Sequence, residues 1–155
     1  VAAPTATEAR QVFAVRRMLE AEMTRAFIRD VTPARPKVLK DHVAQATKAM
    51  QSNNASERVE LLGAFHVRMA ELMGNDVLAR MLGELISRCS LITLMYQSAT
   101  AAQHSADEHA DIVKALAAKD ETTAVRLMTE HLLHVEENLV FDRKLPTNDI
   151  ALALS

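Results

Sequence analysis

The chain of 155 residues has one cysteine, three glycines, four prolines and no tryptophan. A single thiol, Cys89, excludes an internal disulfide and suits a reducing compartment. With so few breakers and an abundance of Ala, Leu, Met, Glu and Arg, the composition argues for an all-α fold. No apolar run reaches the ~18 residues of a membrane span, and no signal peptide is visible, so a cytoplasmic location with no membrane contact is expected. The net charge is −2, without a basic stripe, so the chain has no electrostatic footprint for holding DNA by itself. It opens on Val1, not Met, which leaves room for a domain upstream.

What is present is helical punctuation. Thr5-x-x-Glu8 reads as a capping box opening a helix over roughly 6–29. Thr32 followed by Pro33 opens a second, to roughly 50. Asn54-x-x-Glu57 opens a third that ends at Gly74, and Asn75 caps a long fourth reaching Gln97–Ala101. Ser105-x-x-Glu108 opens the fifth, and Asp120 caps the sixth, which runs to about Val140. The domain is expected over 1–145, with 146–155 a loosely held tail. Neither a strand pattern nor an internal repeat is seen.

Each helix carries one apolar stripe: Val12, Val15, Leu19, Met23 and Ala26 in the first; Ile112, Val113 and Leu116 in the fifth; Leu127, Met128, Leu132 and Val135 in the sixth. Stripes joined by short loops pack as an antiparallel bundle. Met18, Met23, Met69, Met73 and Met81 read as core packing. Gly63 and Gly83 lie inside helices, where each costs about 1 kcal/mol against alanine, which close helix–helix or ligand contact would offset. The fourth helix has Leu85, Ile86, Leu91, Ile92 and Leu94 on more than one face, a surplus that suits a homodimer.

Three of the six histidines share a face with apolar neighbours. His66 lies among Leu62, Met69 and Met73, His109 among Ala106, Ile112 and Val113, and His131 among Leu127, Met128 and Val135. Imidazoles converging from separate helices are what a bundle-core metal site needs, and their nitrogens suit zinc, nickel, iron or copper. Periodicity does not show convergence, and a single inward ring taken alone is more often a core residue bonded to a carbonyl. His134 falls toward a helix edge, His104 in a loop and His42 on the surface beside Asp41. Arg16 borders the first stripe. It either pairs along the surface with Glu20, four residues on, or turns inward to take a carboxylate in bidentate fashion.

The run AFHVRMAELMGN resembles the FH-x-x-[LIM]-A-x-x-x-GN signature of the ligand-binding domain of GntR-type bacterial transcription regulators, in the FadR-like (FCD) branch. HADIVKALAAKDETTAVRLMTEHL resembles the same domain's later histidine signature, and VRRMLEAEM its R-x-x-LE first helix. The resemblance covers roughly residues 8–140. It implies a bundle of six or seven antiparallel helices and a divalent metal, zinc or nickel, on His66, His109 and His131. A small carboxylate effector is implied beside it, with Arg16 and Asn75 as effector-binding positions. It also implies a homodimer, and a winged helix-turn-helix upstream through which alone DNA would be bound. One departure stands out: metal-binding members typically have Asp four residues before the first histidine, where this chain has Leu62. That leaves three neutral nitrogens and one negative charge fewer.

Two other readings compete with this sensor role. A metal-dependent hydrolase would use the three histidines and an open coordination position. Against an enzyme, neither Glu108 nor Glu130 shares the face of the ligand histidine beside it. A purely structural bundle would simply bury the three rings.

Overall fold

The computed structural model describes residues 4–30 and 32–139. These contain six helices and no strand: α1 (Ala6–Asp30), α2 (Ala34–Ala49), α3 (Ala55–Leu72), α4 (Asp76–Tyr96), α5 (Ala99–Ala117) and α6 (Glu121–Asn138). The expected tail, 146–155, lies outside the described residues.

The helices start where side chains can accept the first free backbone N–H groups. The Thr5 hydroxyl accepts from Glu8 N at 3.1 Å, Asn54 from Glu57 N at 3.0 Å, Asn75 from Leu78 N at 3.0 Å and Asp120 from Thr123 N at 3.2 Å. Two starts differ from expectation. Thr32 makes no side-chain cap, and α2 begins behind Pro33 with only a backbone turn, Arg35 N to Thr32 O. α5 begins at Ala99 under Ser98, whose hydroxyl accepts from Ala101 N at 3.0 Å. Ser98 and Ser105 are both competent caps. The alanines between them are strong helix formers with no breaker among them, so the earlier cap prevails. Ser105 is then a buried residue inside α5, and His104 is an exposed helical residue and not part of a loop.

Two interhelical turns share one device. After α3, Gly74 adopts φ +74° and Asn75 N bonds back to Ala70 O; after α5, Lys119 adopts φ +56° and Asp120 N bonds back to Ala115 O. Each is a Schellman stop whose next residue caps the following helix, so the chain reverses within three residues. These reversals lay α4 on α3 and α6 on α5, while α2 lies across α3 and α5, and α1 packs chiefly on α6.

The main core gathers Met23 and Phe27 of α1, Leu39 of α2, Phe65 and Met69 of α3, Leu82 of α4, Ile112 and Leu116 of α5 and Met128 of α6. Removing side chains of this size from water contributes about 1.5–3 kcal/mol apiece. At one end Val12, Phe13, Cys89, Ile92 and Leu139 form a second cluster, and Leu62 joins Met50, Ala102 and Ala106 in a third.

The buried line of α1 runs Ala9, Phe13, Arg16, Glu20, Met23, Phe27, at alternating spacings of four and three. The expected stripe is therefore rotated: Val15 is 36% exposed and Leu19 only half-buried, while two charged residues occupy the inner seam. The methionines divide as well. Met23 and Met69 are core and Met73 is half-buried, but Met18 is 65% exposed and Met81 44%. At Gly63 a Cβ would stand 2.9 Å from Ile86 Cγ2, so glycine lets α4 approach α3 there; at Gly83 a Cβ would meet nothing within 4 Å.

Candidate metal and effector site

His66 on α3, His109 on α5 and His131 on α6 converge. All three are buried, and one ring nitrogen of each lies within 4.8 Å of the others. The packing that brings them together comes from their own helical neighbours. Phe65 and Met69 flank His66 in the main core, Ile112 sits one turn beyond His109, and Met128 one turn before His131. Seating those apolar residues turns the three imidazoles toward one another. The Phe65 ring stacks on His109 with centroids 4.0 Å apart and planes 13° apart, which fixes that ring's tilt.

Carboxylates hold two of the rings from behind. His66 Nδ1 is hydrogen-bonded to Glu20 Oε1, and His131 Nδ1 donates to Glu108 Oε1 at 3.2 Å. A ring that gives its Nδ1–H to a carboxylate keeps Nε2 free to act as a ligand. Nε2 of His131 faces Nε2 of His109 at 2.9 Å. Glu108 also takes a bond from Nδ1 of the exposed His134, so one carboxylate links a buried ring to a surface ring.

Arg16 is 6% exposed and turned inward, and its Nε donates to Glu20 Oε2 at 2.9 Å. The two readings of Arg16 thus merge. It pairs with Glu20 and is buried as well, because Glu20 is itself fully enclosed and does not lie along the surface. Glu20 divides its two oxygens between Arg16 and His66.

Electrostatics keep this cluster in ligand form. Burial pulls His66 down to about 4 and the Arg16 charge adds to that, against the raising pull of Glu20. Burial likewise holds His109 well below the usual imidazole value, with the neighbouring His131 adding to the shift. Burial alone would raise Glu20, but Arg16 and then His66 outweigh it and hold the carboxyl at about 2. At neutral pH the centre is two neutral imidazoles beside a compensated ion pair.

The histidines open on a cavity of about 50 Å³. Its wall includes Phe13, Arg16, Leu62, Cys89, Thr93, Gln97 and Ser105. α4 therefore closes the side of the site that α1, α3, α5 and α6 leave open. The space matches roughly three to five water molecules, enough for a metal with its remaining ligands or a compact anion.

The sequence-derived positions fall in two groups. His66, His109, His131 and Arg16 meet at this cavity. Asn75 does not line it; it is exposed and caps α4. His42 is half-buried and not a surface residue: its Nε2 donates to Leu61 O at 3.0 Å. Glu20 and Glu108 were missed as site residues. Glu108 does point away from His109, its neighbour in sequence, but toward His131 and His134 on α6. Glu20 was legible as the residue four beyond Arg16. Shifting the inner seam of α1 onto Phe13, Met23 and Phe27 would have put both residues inside.

The fold and the three-histidine centre define an all-helical domain with a small cavity walled by buried polar residues. Residues 11–134 match the FCD domain, and the chain belongs to that family, the C-terminal effector-binding domain of FadR-like GntR regulators. No curated protein matches the chain. Among the described residues no helix is long and apolar enough to cross a membrane.

Proposed function

We propose that this chain is the sensor half of a cytoplasmic GntR-type transcription regulator. A small organic carboxylate binds in the cavity between Arg16 and a divalent metal held by His66, His109 and His131. Its arrival alters the hold on DNA of a winged helix-turn-helix joined upstream. The observation that carries the reading is the convergence of three buried histidines beside an inward arginine, in a chain of the FCD family.

The residues suit a metal. Neutral imidazole nitrogens favour zinc or nickel over magnesium or calcium, and carboxylates behind two of the rings set which nitrogen is free. Such a metal would act as a Lewis acid that anchors the effector's carboxylate. Arg16 keeps Nε on Glu20 and offers the outer edge of its guanidinium to the same anion. With a metal in place, a cavity of this volume favours the most compact carboxylates. Glu108 faces the outer nitrogen of His131 and not the cavity, which favours binding over hydrolysis.

The test is a thermal-shift screen of small mono- and dicarboxylates on zinc-loaded protein, followed by calorimetry of the best ligand on wild type and Arg16→Lys. Lysine keeps a cation beside Glu20 but lacks the planar fork, so affinity should fall roughly tenfold. Equal affinity in the two proteins would place the ligand away from Arg16.

Dimerisation belongs to the same reading. Val59, Val67, Ile86, Leu91 and Leu94 line an apolar groove between α3 and α4; Val77 and Met81 are exposed elsewhere on α4. Sedimentation at micromolar concentration should give about twice the chain mass; a clean monomer would remove the dimer.

A further inference from the structure

Glu20 is the fully enclosed carboxylate among the described residues, and Arg16 by itself does not account for its placement. A carboxylate serving only to neutralise Arg16 has no need to reach a second partner on another helix. Glu20 spends its second oxygen on His66, 46 positions along the chain, and does so at the nitrogen that leaves Nε2 available. Its oxygens do not belong to the three-nitrogen cluster, so it stands behind His66 and not beside it as a fourth donor.

The need for it follows from the donor set. Three neutral imidazoles give a divalent cation no anionic ligand, and Leu62, one turn before His66, lines the cavity with an aliphatic side chain. With no anionic ligand, the strength of the site rests on how basic and how well oriented those three rings are. A carboxylate bonded to the far nitrogen of a ligand imidazole makes that ring a stronger donor and fixes its rotation. Glu108 stands in the same relation to His131, but it is half-exposed and shared with His134, so its field is better screened.

We propose that Glu20 is a positioning residue of the metal site: from α1 it locks the His66 tautomer and makes that ring a stronger donor. This rests on the reading of His66, His109 and His131 as metal ligands. It also gives α1 a direct link to the metal, since Arg16, Glu20 and His66 form one chain of contacts from the cavity wall to a ligand.

Removing Glu20 alone would strand Arg16, so the test removes the pair together. Cobalt(II) is titrated into wild type, Arg16→Met/Glu20→Leu and Arg16→Met/Glu20→Gln, with affinity read from the visible absorption bands. Folding is checked by circular dichroism without metal. The Leu variant, which keeps no acceptor for His66, should bind cobalt roughly tenfold to a hundredfold more weakly. The Gln variant offers an amide oxygen to the His66 Nδ1–H and should recover part of that loss. Bands of the same energy in all three would agree with an unchanged set of donors. If the Leu variant binds as tightly as wild type, Glu20 merely neutralises Arg16 and the inference is overturned while the metal site stands. Band energies that change with Glu20 would make it a ligand instead. If wild type itself binds no cobalt, the metal reading fails and takes this inference with it.

Discussion

Nε2 of His109 and Nε2 of His131 stand 2.9 Å apart, so one must carry a hydrogen and the other accept it. Because His131 gives its Nδ1–H to Glu108, the network is satisfied with His131 accepting at Nε2 and His109 donating. A metal bound by both rings would take the place of that shared proton. Zinc-bound nitrogens lie about 2.0–2.1 Å from the ion, which separates two of them by roughly 3.3 Å. A shift of a few tenths of an ångström converts the hydrogen-bonded pair into a ligand pair. Protein purified without a histidine tag should contain about one first-row metal ion per chain by elemental analysis, and His109→Ala should contain essentially none. Full occupancy in the variant would exclude His109 as a ligand.

Acid should loosen the metal-free domain in two stages. His66 falls from 6.5 to about 4 on folding, and His109 also falls. For a depressed histidine the unfolded chain binds more protons between the two values, so the stabilisation is complete above 6.5 and lost as pH drops toward 4. Glu20 falls from 4.5 to about 2, so its contribution is present above 4.5 and lost below it. His134 is shifted upward by its bond to Glu108 and works in the opposite direction, but it is exposed and weak. Melting temperature recorded from pH 8 to pH 3 should therefore begin to fall near 6.5, before ordinary carboxylates titrate. A flat profile down to pH 5 would contradict the placement of His66 and His109.

Lys119 is a side-chain-bearing residue in the left-handed region, at the position of the α5–α6 turn that Gly74 occupies between α3 and α4. Left-handed backbone costs an L-residue about 1–2 kcal/mol. Lys119→Gly should stabilise the domain by about 1 kcal/mol in urea unfolding, since glycine's greater freedom in the unfolded chain takes back part of the gain. Unchanged or lower stability would count against the turn geometry.

Gly63→Ala should act in the other direction. The new methyl would meet Ile86 Cγ2 at 2.9 Å, and a branch so close to the backbone has little room to move. Overpacking of this kind costs about 1–3 kcal/mol, against a gain in helix propensity of about 1 kcal/mol. A net loss near 1 kcal/mol is expected, measured by chemical denaturation, and the cost should shrink in an Ile86→Ala background. Both residues also line the cavity, so effector affinity should fall in Gly63→Ala even where the fold holds.

Most of the architecture was legible from residues that act locally. Asn54, Asn75 and Asp120 cap helices because their side chains reach backbone three residues away, and Gly74 stops α3 because it alone tolerates its φ cheaply. The inward faces of α3, α5 and α6 followed from apolar spacing, so the three histidines could be singled out before any contact was known. At α5 the capping signal at Ser105 pointed to too late a start, because the helix-forming run before it extends the helix back to Ser98, whose hydroxyl caps equally well.

The centre itself was decided by tertiary packing. Whether three inward rings meet depends on how α3, α5 and α6 are set against each other, and that is fixed by Phe65, Met69, Ile112 and Met128 filling one core. The rotation of α1 was decided in the same way. A stripe through Val15 and Leu19 is the more apolar choice for an isolated helix, but the bundle buries Phe13, Met23 and Phe27 together, and Arg16 and Glu20 are carried inside with them. Only there can each find its partner: Arg16 a carboxylate it can bury with, and Glu20 a ring nitrogen on a helix far along the chain. Side-chain periodicity is a property of one helix, whereas the neutralisation of a buried charge is a property of what several helices enclose.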